Sequence, residues 1–185
     1  MKETGKNANS MPRLIIVLFL ISAITALLLG LVDYITRDRI AEIKDEKTNA
    51  ALSEVMPAGE TFEKLDAEVS AKEVSCVYAA KSGDGPAGYV VETVVSGSQG
   101  NIDMVVGVGL DGAVTGVAII DMSETSNLGS KAADADWRAQ FIGVSSEQAV
   151  SKDGGDIDAL TGATITSRAV TNGVNIALAT AAELG

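Results

Sequence analysis

Residues 14–32 form a run of nineteen uncharged residues, interrupted in apolar character only by Ser22, Thr25 and Gly30. A hydrocarbon layer about 30 Å thick is crossed by about 20 apolar residues in a helix, so this run is long enough to span a bilayer. It is too long for a secretory h-region of about 7–15 residues, and no Ala-x-Ala-like cleavage site follows before Asp33, Tyr34 and Arg37. Charges at Arg13 and Asp33 close the run at both ends, which argues against a buried core helix. The expectation is an N-terminus of residues 1–13 followed by an uncleaved transmembrane anchor over residues 14–33. What remains, about 140 residues, suits one ordinary domain and excludes two large ones.

Charge divides unevenly about this anchor. Residues 1–47 carry seven Lys/Arg and six Asp/Glu, whereas residues 48–185 carry seven against nineteen, a net of −12. A domain this acidic repels phosphate backbones and anionic leaflets, so no nucleic-acid partner is expected, nor flat adsorption on a membrane surface. Orientation is not decided by charge. Lys2, Lys6 and Arg13 on one side are balanced by Arg37, Arg39, Lys44 and Lys47 on the other. Long domains cross a membrane largely regardless of their charge, so an outside location is allowed.

The chain has no His, and Cys76 is its one Cys. That removes His-based triads, His-ligated haem, His-containing zinc sites, intrachain disulfides and Cys-ligated iron–sulfur clusters. No catalytic set and no metal site are expected from side chains. Redox or group-transfer chemistry here calls for a bound organic cofactor.

Beyond the anchor, Ile35, Ile40, Ile43, Leu52 and Val55 stand among charges, and residues 34–57 read as an amphipathic helical stalk ended by Pro57 and Gly59. Residues 58–185 form the domain. Residues 74–81, 89–95, 102–110 and 114–121 are rich in Val, Ile and Tyr and read as strands, with turns at 82–88, 96–100 and Asp111-Gly112. Residues 123–131 read as a polar loop, 134–141 as a short helix bearing Trp137 and Phe141, and 168–184 as an Ala-rich helix interrupted by Gly173. The expected class is α+β, a largely antiparallel sheet with flanking helices. Gly83-Asp84-Gly85-Pro86-Ala87-Gly88 matches G-x-G-x-x-G in letters, but a strand rather than a helix follows, so a hairpin turn is expected and not a dinucleotide site.

The informative segment is Asp158-Ala-Leu-Thr161-Gly162-Ala163-Thr164-Ile-Thr166-Ser167-Arg168. Small residues at the start of a helix let a bulky group approach the backbone, where free N–H groups and the helix dipole favour a phosphate. On composition alone the plainer reading is that Thr166 or Ser167 caps the last helix.

This segment closely resembles the flavin-attachment motif of the FMN-binding domain family, whose members include the G subunits of Rnf-type electron-transport complexes. The sodium-pumping NADH:quinone oxidoreductases contribute their C subunits to the same family. The resemblance implies covalent FMN, esterified through its phosphate to the Thr164 hydroxyl by a flavin transferase that recognises Asp158. Thr161, Gly162, Ala163, Thr166 and Ser167 would then surround the cofactor. Glu124-Thr125-Ser126-Asn127-Leu128-Gly129, followed by Trp137 and Phe141, resembles the family's Glu-Thr-Pro-Gly-Leu-Gly loop. It places Glu124, Thr125, Leu128 and Gly129 at the flavin, with Trp137 and Phe141 read as ordinary core. Ser126-Asn127 replaces the usual Pro-Gly, and Ser98 stands after Gly97 where an aromatic is frequent; Gly88-Tyr89-Val90 and Gly107 match family positions.

Chain length is closer to the Rnf G subunits than to the longer C subunits. The resemblance therefore implies a single-pass protein of the cytoplasmic membrane with its domain on the outer side. Its role would be to carry electrons beside the other subunits of an Rnf-type complex, coupling ferredoxin/NAD electron transfer to Na⁺ or H⁺ translocation. Two alternatives stand beside it: an anchored FMN carrier feeding a separate reductase, and a flavin-free anchored sensor or adhesion domain.

Overall fold

The computed structural model of the chain describes residues 10–66, 69–83 and 85–185. Lys2 and Lys6 of the N-terminal flank and Asp84 of the glycine-rich turn lie outside these residues. Two compact units are present, Met1–Asp45 and Glu46–Gly185.

Helix α1 (Ser10–Val55) is unbroken over 46 residues. Its apolar run, with Leu14, Ile15, Leu18, Phe19, Leu27 and Leu29 among its exposed side chains, is long and apolar enough to cross a membrane and is not covered by protein. Two threonine hydroxyls, one inside the run and one just beyond it, turn back on the helix. Thr25 and Thr36 donate to the carbonyls of Ile21 and Val32, each at 2.8 Å, which hides their polarity. After the run the surface becomes ionic, with Arg37 on Asp33 at 2.6 Å and Arg39 on Glu42. Ile35, Ile40 and Ile43 are exposed, while Leu52 and Val55 are buried. The helix stops two residues before Pro57, which has no N–H to continue it.

In the second unit, five strands form an antiparallel meander: β1 (Thr61–Leu65), β2 (Val74–Ser82), β3 (Gly85–Ser96), β4 (Asn101–Gly109) and β5 (Val114–Met122), in the order β1-β2-β3-β4-β5. The domain is α+β. The four strands expected from Val/Ile-rich runs are present, and the Asp111-Gly112 turn joins β4 to β5, with the Asp111 carboxylate accepting from Ala113 N at 3.1 Å. Strand β1 was not foreseen. In Thr-Phe-Glu-Lys-Leu the strand preference of Thr61 and Phe62 is diluted by Glu63 and Lys64; its order comes from pairing with β2, and its charged edge, with Glu63 on Lys81 at 2.7 Å, discourages further pairing.

Strand β4 is buried at seven consecutive positions because both faces of the sheet are covered. Met104, Val106 and Val108 pack on helix α3 (Thr164–Leu184), through Val170, Val174 and Ala177. Val90, Val105, Ala118 and Ile120 pack on Ala51, Leu52, Val55 and Met56. An alternating strand would expose one face; a Val-rich run such as residues 104–108 fits a sheet covered on both sides. The second contact is unusually close. Gly107 and Gly116 are cross-strand partners, and a Cβ on either would strike the Val55 backbone. Thr115 Oγ1 then donates to the Val55 carbonyl at 2.5 Å, satisfying one of the acceptors left at a helix C-terminus.

The expected helix over 134–141 divides into α2 (Ala135–Arg138) and a 3₁₀ turn (Ala139–Phe141). Trp137 and Phe141 are core residues, their rings edge to face at 5.5 Å and 77°. Replacing a buried Phe such as Phe141 with Ala typically costs about 3–5 kcal/mol. Helix α3 begins at Thr164, four residues earlier than expected, and continues through Gly173 without interruption. Gly173 lets α3 lie close against the sheet, since a Cβ there would lie 2.9 Å from the Met104 sulfur and 3.2 Å from Thr93 Oγ1.

Candidate functional site

The attachment-like motif lies at the N-terminus of α3. Its approach is a tight turn: Ala163 N donates to the Leu160 carbonyl at 3.0 Å, and Gly162 takes the left-handed conformation, φ +78°, that a side chain would strain. Thr164 is the first residue of the helix. Ala163 is the N-cap and makes no side-chain cap, which corrects the plainer reading of Thr166 or Ser167 as the capping residue. Both lie inside the first turn and both are fully buried. Ser167 Oγ instead donates to the Ala163 carbonyl at 3.0 Å and accepts from Leu160 N at 2.9 Å, locking the turn onto the helix. Among the described residues no side chain caps the N–H groups at the start of α3, the arrangement that suits an anion.

The Thr164 hydroxyl is half-buried and accepts a 2.7 Å hydrogen bond from Lys152 Nζ. Lys152 sits on a 3₁₀ turn (Ser151–Asp153) and was not among the residues expected at the site. One signal was available: it is the only basic residue between Arg138 and Arg168. Its neighbour Asp153 grips Arg168, one turn along α3 from Thr164, through two 2.6 Å bonds. The Arg168 guanidinium, by those bonds first and its charge second, holds the Asp153 carboxyl below the ordinary carboxylate range.

The Glu124 loop meets this helix end. Glu124 Oε1 accepts from Ser98 N at 2.7 Å and Gln99 N at 3.2 Å, and Oε2 accepts from Thr166 Oγ1 at 2.9 Å. One carboxylate therefore ties the β3–β4 turn, the loop and the first turn of α3 together. Gly129 makes this fit possible, because a Cβ there would lie 2.6 Å from Glu124 Oε2 and 2.9 Å from Thr166 Oγ1. Leu128 leans over the motif, its Cδ2 3.2 Å from the position of a Cβ on Gly162, and is 43% exposed. Thr125 and Thr161 are exposed. Ile165, beside Thr164, is another exposed apolar side chain that was not anticipated.

Asp158 is exposed, and its backbone is fixed at both ends: Trp137 Nε1 donates to its carbonyl at 2.8 Å, and its N–H donates to Gln140 Oε1 at 2.7 Å. Trp137 is thus a core residue that also buttresses the motif, a role the sequence did not disclose. Among the described residues no group of three or more His, Cys, Asp or Glu could hold a metal ion. A cleft of about 560 Å³ lined by Tyr89, Leu110, Leu178 and Leu184 contains none of the motif residues.

A half-buried hydroxyl, an ammonium upon it, the first N–H groups of α3 and the exposed Leu128 thus lie together at one end of the domain. The profile of the FMN-binding domain matches residues 97–179, and that of the RnfG N-terminal region matches residues 1–55. The G subunit of the Na⁺-translocating ferredoxin:NAD⁺ oxidoreductase complex of Acetobacterium woodii is 37% identical over 182 residues, covering 88% of this chain and 87% of that one. The G subunits of the ion-translocating oxidoreductase complexes of Escherichia coli (36%, covering 86% and 85%) and Methanosarcina acetivorans (29%, covering 93% and 95%) are also similar. From its N-terminal helix to the last turns of α3, the chain belongs to the family of RnfG-type subunits and carries an FMN-binding domain.

Proposed function

We propose that this chain is a covalent flavoprotein that carries electrons within an Rnf-type complex, with FMN esterified through its phosphate to Thr164. The observation that supports this most is the Thr164 hydroxyl itself, presented at a helix N-terminus under the Lys152 ammonium. When bound, FMN supplies one- and two-electron redox chemistry, which links one-electron to two-electron partners. The chain's own residues do the holding. Thr164 would provide the attachment oxygen, the first N–H groups of α3 would stabilise the phosphate charge, and Glu124, through Thr166, fixes the loop whose Leu128 would offer the ring an apolar contact. Asp158, exposed on a fixed backbone, offers a carboxylate for a flavin transferase to recognise.

In this reading residues 1–13 are cytoplasmic, 14–33 cross the membrane, 34–57 form the stalk and 58–185 the FMN-binding domain on the outer side. The anchor keeps the flavin at high effective concentration beside other subunits of the complex. The names of the relatives support coupling of ferredoxin/NAD electron transfer to Na⁺ or H⁺ movement. The chain would be the electron wire, with ion passage lying in its partners.

Intact mass tests the attachment. Co-expressed with a flavin transferase, the wild-type chain should gain FMN less one water, roughly 438 Da, because phosphoester formation expels water. Thr164→Val keeps the β-branched shape, loses the oxygen and should lack the increment. Thr161→Val and Thr166→Val should retain some flavin. A flavinylated Thr164→Val chain overturns the assignment.

A further inference from the structure

We infer that Lys152 is the positioning residue for the phosphoryl group at Thr164, holding the hydroxyl oxygen before attachment and neutralising the phosphodiester afterwards. The inference rests on the proposal that Thr164 carries FMN. Its own basis is a local imbalance of charge. In the Ser151–Asp153 turn the carboxylate of Asp153 is committed to Arg168, in a bidentate pair. Lys152, the adjacent residue, is left with a neutral partner, the Thr164 hydroxyl, and makes no ion pair among the described residues. In residues 58–185, with eighteen acidic residues against seven basic ones, an ammonium that pairs with no carboxylate among the described residues and is aimed at one hydroxyl is a built feature.

The turn that presents it is well fixed. Ser151 N donates to the Ile157 carbonyl at 2.7 Å, Asp153 N to Val150 at 2.8 Å and Ile157 N to Ala149 at 3.2 Å, with Val150 and Ile157 buried beneath. Thr164 and Arg168 are four residues apart on α3, so Lys152 and Asp153 meet one face of that helix at successive turns. The Asp153–Arg168 pair therefore sets where Lys152 reaches.

The chemistry follows from where the proton lies. Lys152 donates to Thr164 Oγ1, so the hydroxyl's own proton points elsewhere and is open to removal. In the transfer, the bond from Thr164 Oγ1 to the flavin phosphorus forms. The pyrophosphate bond of FAD to its AMP half breaks, AMP leaves with the electron pair, and the hydroxyl proton passes to solvent. An ammonium on Oγ1 lowers the cost of the negative charge that develops there. Once the ester exists, the free phosphoryl oxygens lie one bond beyond phosphorus, within reach of the same ammonium, and a charge-assisted contact replaces a neutral one.

The test uses the full chain in detergent with purified flavin transferase, FAD and Mg²⁺, following attachment by intact mass. Lys152→Met and Lys152→Gln should be flavinylated roughly tenfold more slowly or worse, the size of one charge-assisted contact, and Lys152→Arg should recover most of the rate. In fully flavinylated protein the ³¹P resonance of the phosphodiester should move in the Met variant, a readout that a general loss of stability would not shift. A wild-type rate in both neutral variants, or an unmoved ³¹P resonance, overturns the inference. The two proposals separate cleanly. If the wild-type chain gains no flavin mass, attachment at Thr164 fails and takes this inference with it. If wild type gains it, Thr164→Val does not, and Lys152→Met behaves as wild type, only the role of Lys152 fails.

Discussion

Thr166 Oγ1 and Glu124 Oε2 lie 2.9 Å apart, the hydroxyl donating, and this bond joins two motifs separated by forty-two positions of sequence. Thr166 is fully buried and Glu124 half-buried, so the contact lies at the edge of the core rather than in open solvent. The same carboxylate accepts two backbone N–H groups from the β3–β4 turn. The loop is thus held to both the β3–β4 turn and α3, and Leu128 is held with it.

A double-mutant cycle measures that bond. Glu124→Ala strands the buried Thr166 hydroxyl and two turn N–H groups, and should destabilise the domain by about 2–3 kcal/mol. Thr166→Val removes one donor and should cost about 1–2 kcal/mol. Combined, they should cost less than their sum by about 1 kcal/mol, because both singles remove the same bond. Urea unfolding in detergent gives all four stabilities. Strict additivity would show that the bond contributes nothing to the folded domain.

Leu128 tests whether that held loop touches the cofactor. Leu128→Asp places an unpaired carboxylate where an apolar ring is expected, which is costly unless the loop withdraws. Covalent FMN should be retained, since Thr164 is untouched, while flavin fluorescence or reduction potential changes. Unchanged flavin properties in a folded, flavinylated variant would remove the loop from the site.

The legibility of the sequence varied with the range of the interaction that fixes each part. The apolar run of 14–32, the Val-rich strands and the Asp111-Gly112 turn announce themselves because local composition decides them. Strand β1 was invisible because it is five residues long, carries Glu63 and Lys64 in its middle, and takes its order from pairing with β2. The start of α3 was read too late since Thr161, Gly162 and Thr164 look like loop residues; the Ser167 side chain and the Gly162 turn, not propensity, make Thr164 helical. At the candidate site, Thr164 and Glu124 were named through motif resemblance, and the fold brings their two motifs together. Lys152 and the indole of Trp137 were not found as site residues, because each contributes through a single long-range hydrogen bond that leaves no periodic trace.

Sidedness is open to a direct measurement. The charges flanking the apolar run balance, so the outer location of the domain rests on the complex-subunit reading alone. A reporter enzyme that matures only outside the cytoplasm, fused after Gly185, should be active in cells, and a cytoplasm-only reporter should be silent. The reverse pattern would place the flavin on the inner face and change which partners it can reach.

The Asp153–Arg168 pair predicts how the site responds to acid. Pairing lowers the folded-state pKa of Asp153 below its ordinary value of 3.8, so the pair's contribution is complete above that value. It should fade as pH falls below 3.8 and vanish beneath the lowered folded value, where both states are protonated. Amide exchange of the 150–157 segment, compared between wild type and Asp153→Asn at each pH, isolates this effect because intrinsic exchange rates cancel. Wild type should be better protected at neutral pH, with Gly155 N on the Val150 carbonyl (3.2 Å) and Ile157 N on the Ala149 carbonyl (3.2 Å) as reporters. The difference should persist to about pH 4 and close only in stronger acid. A difference that is already gone at about pH 5, or that grows on acidification, would mean that Arg168 does not hold the turn that carries Lys152.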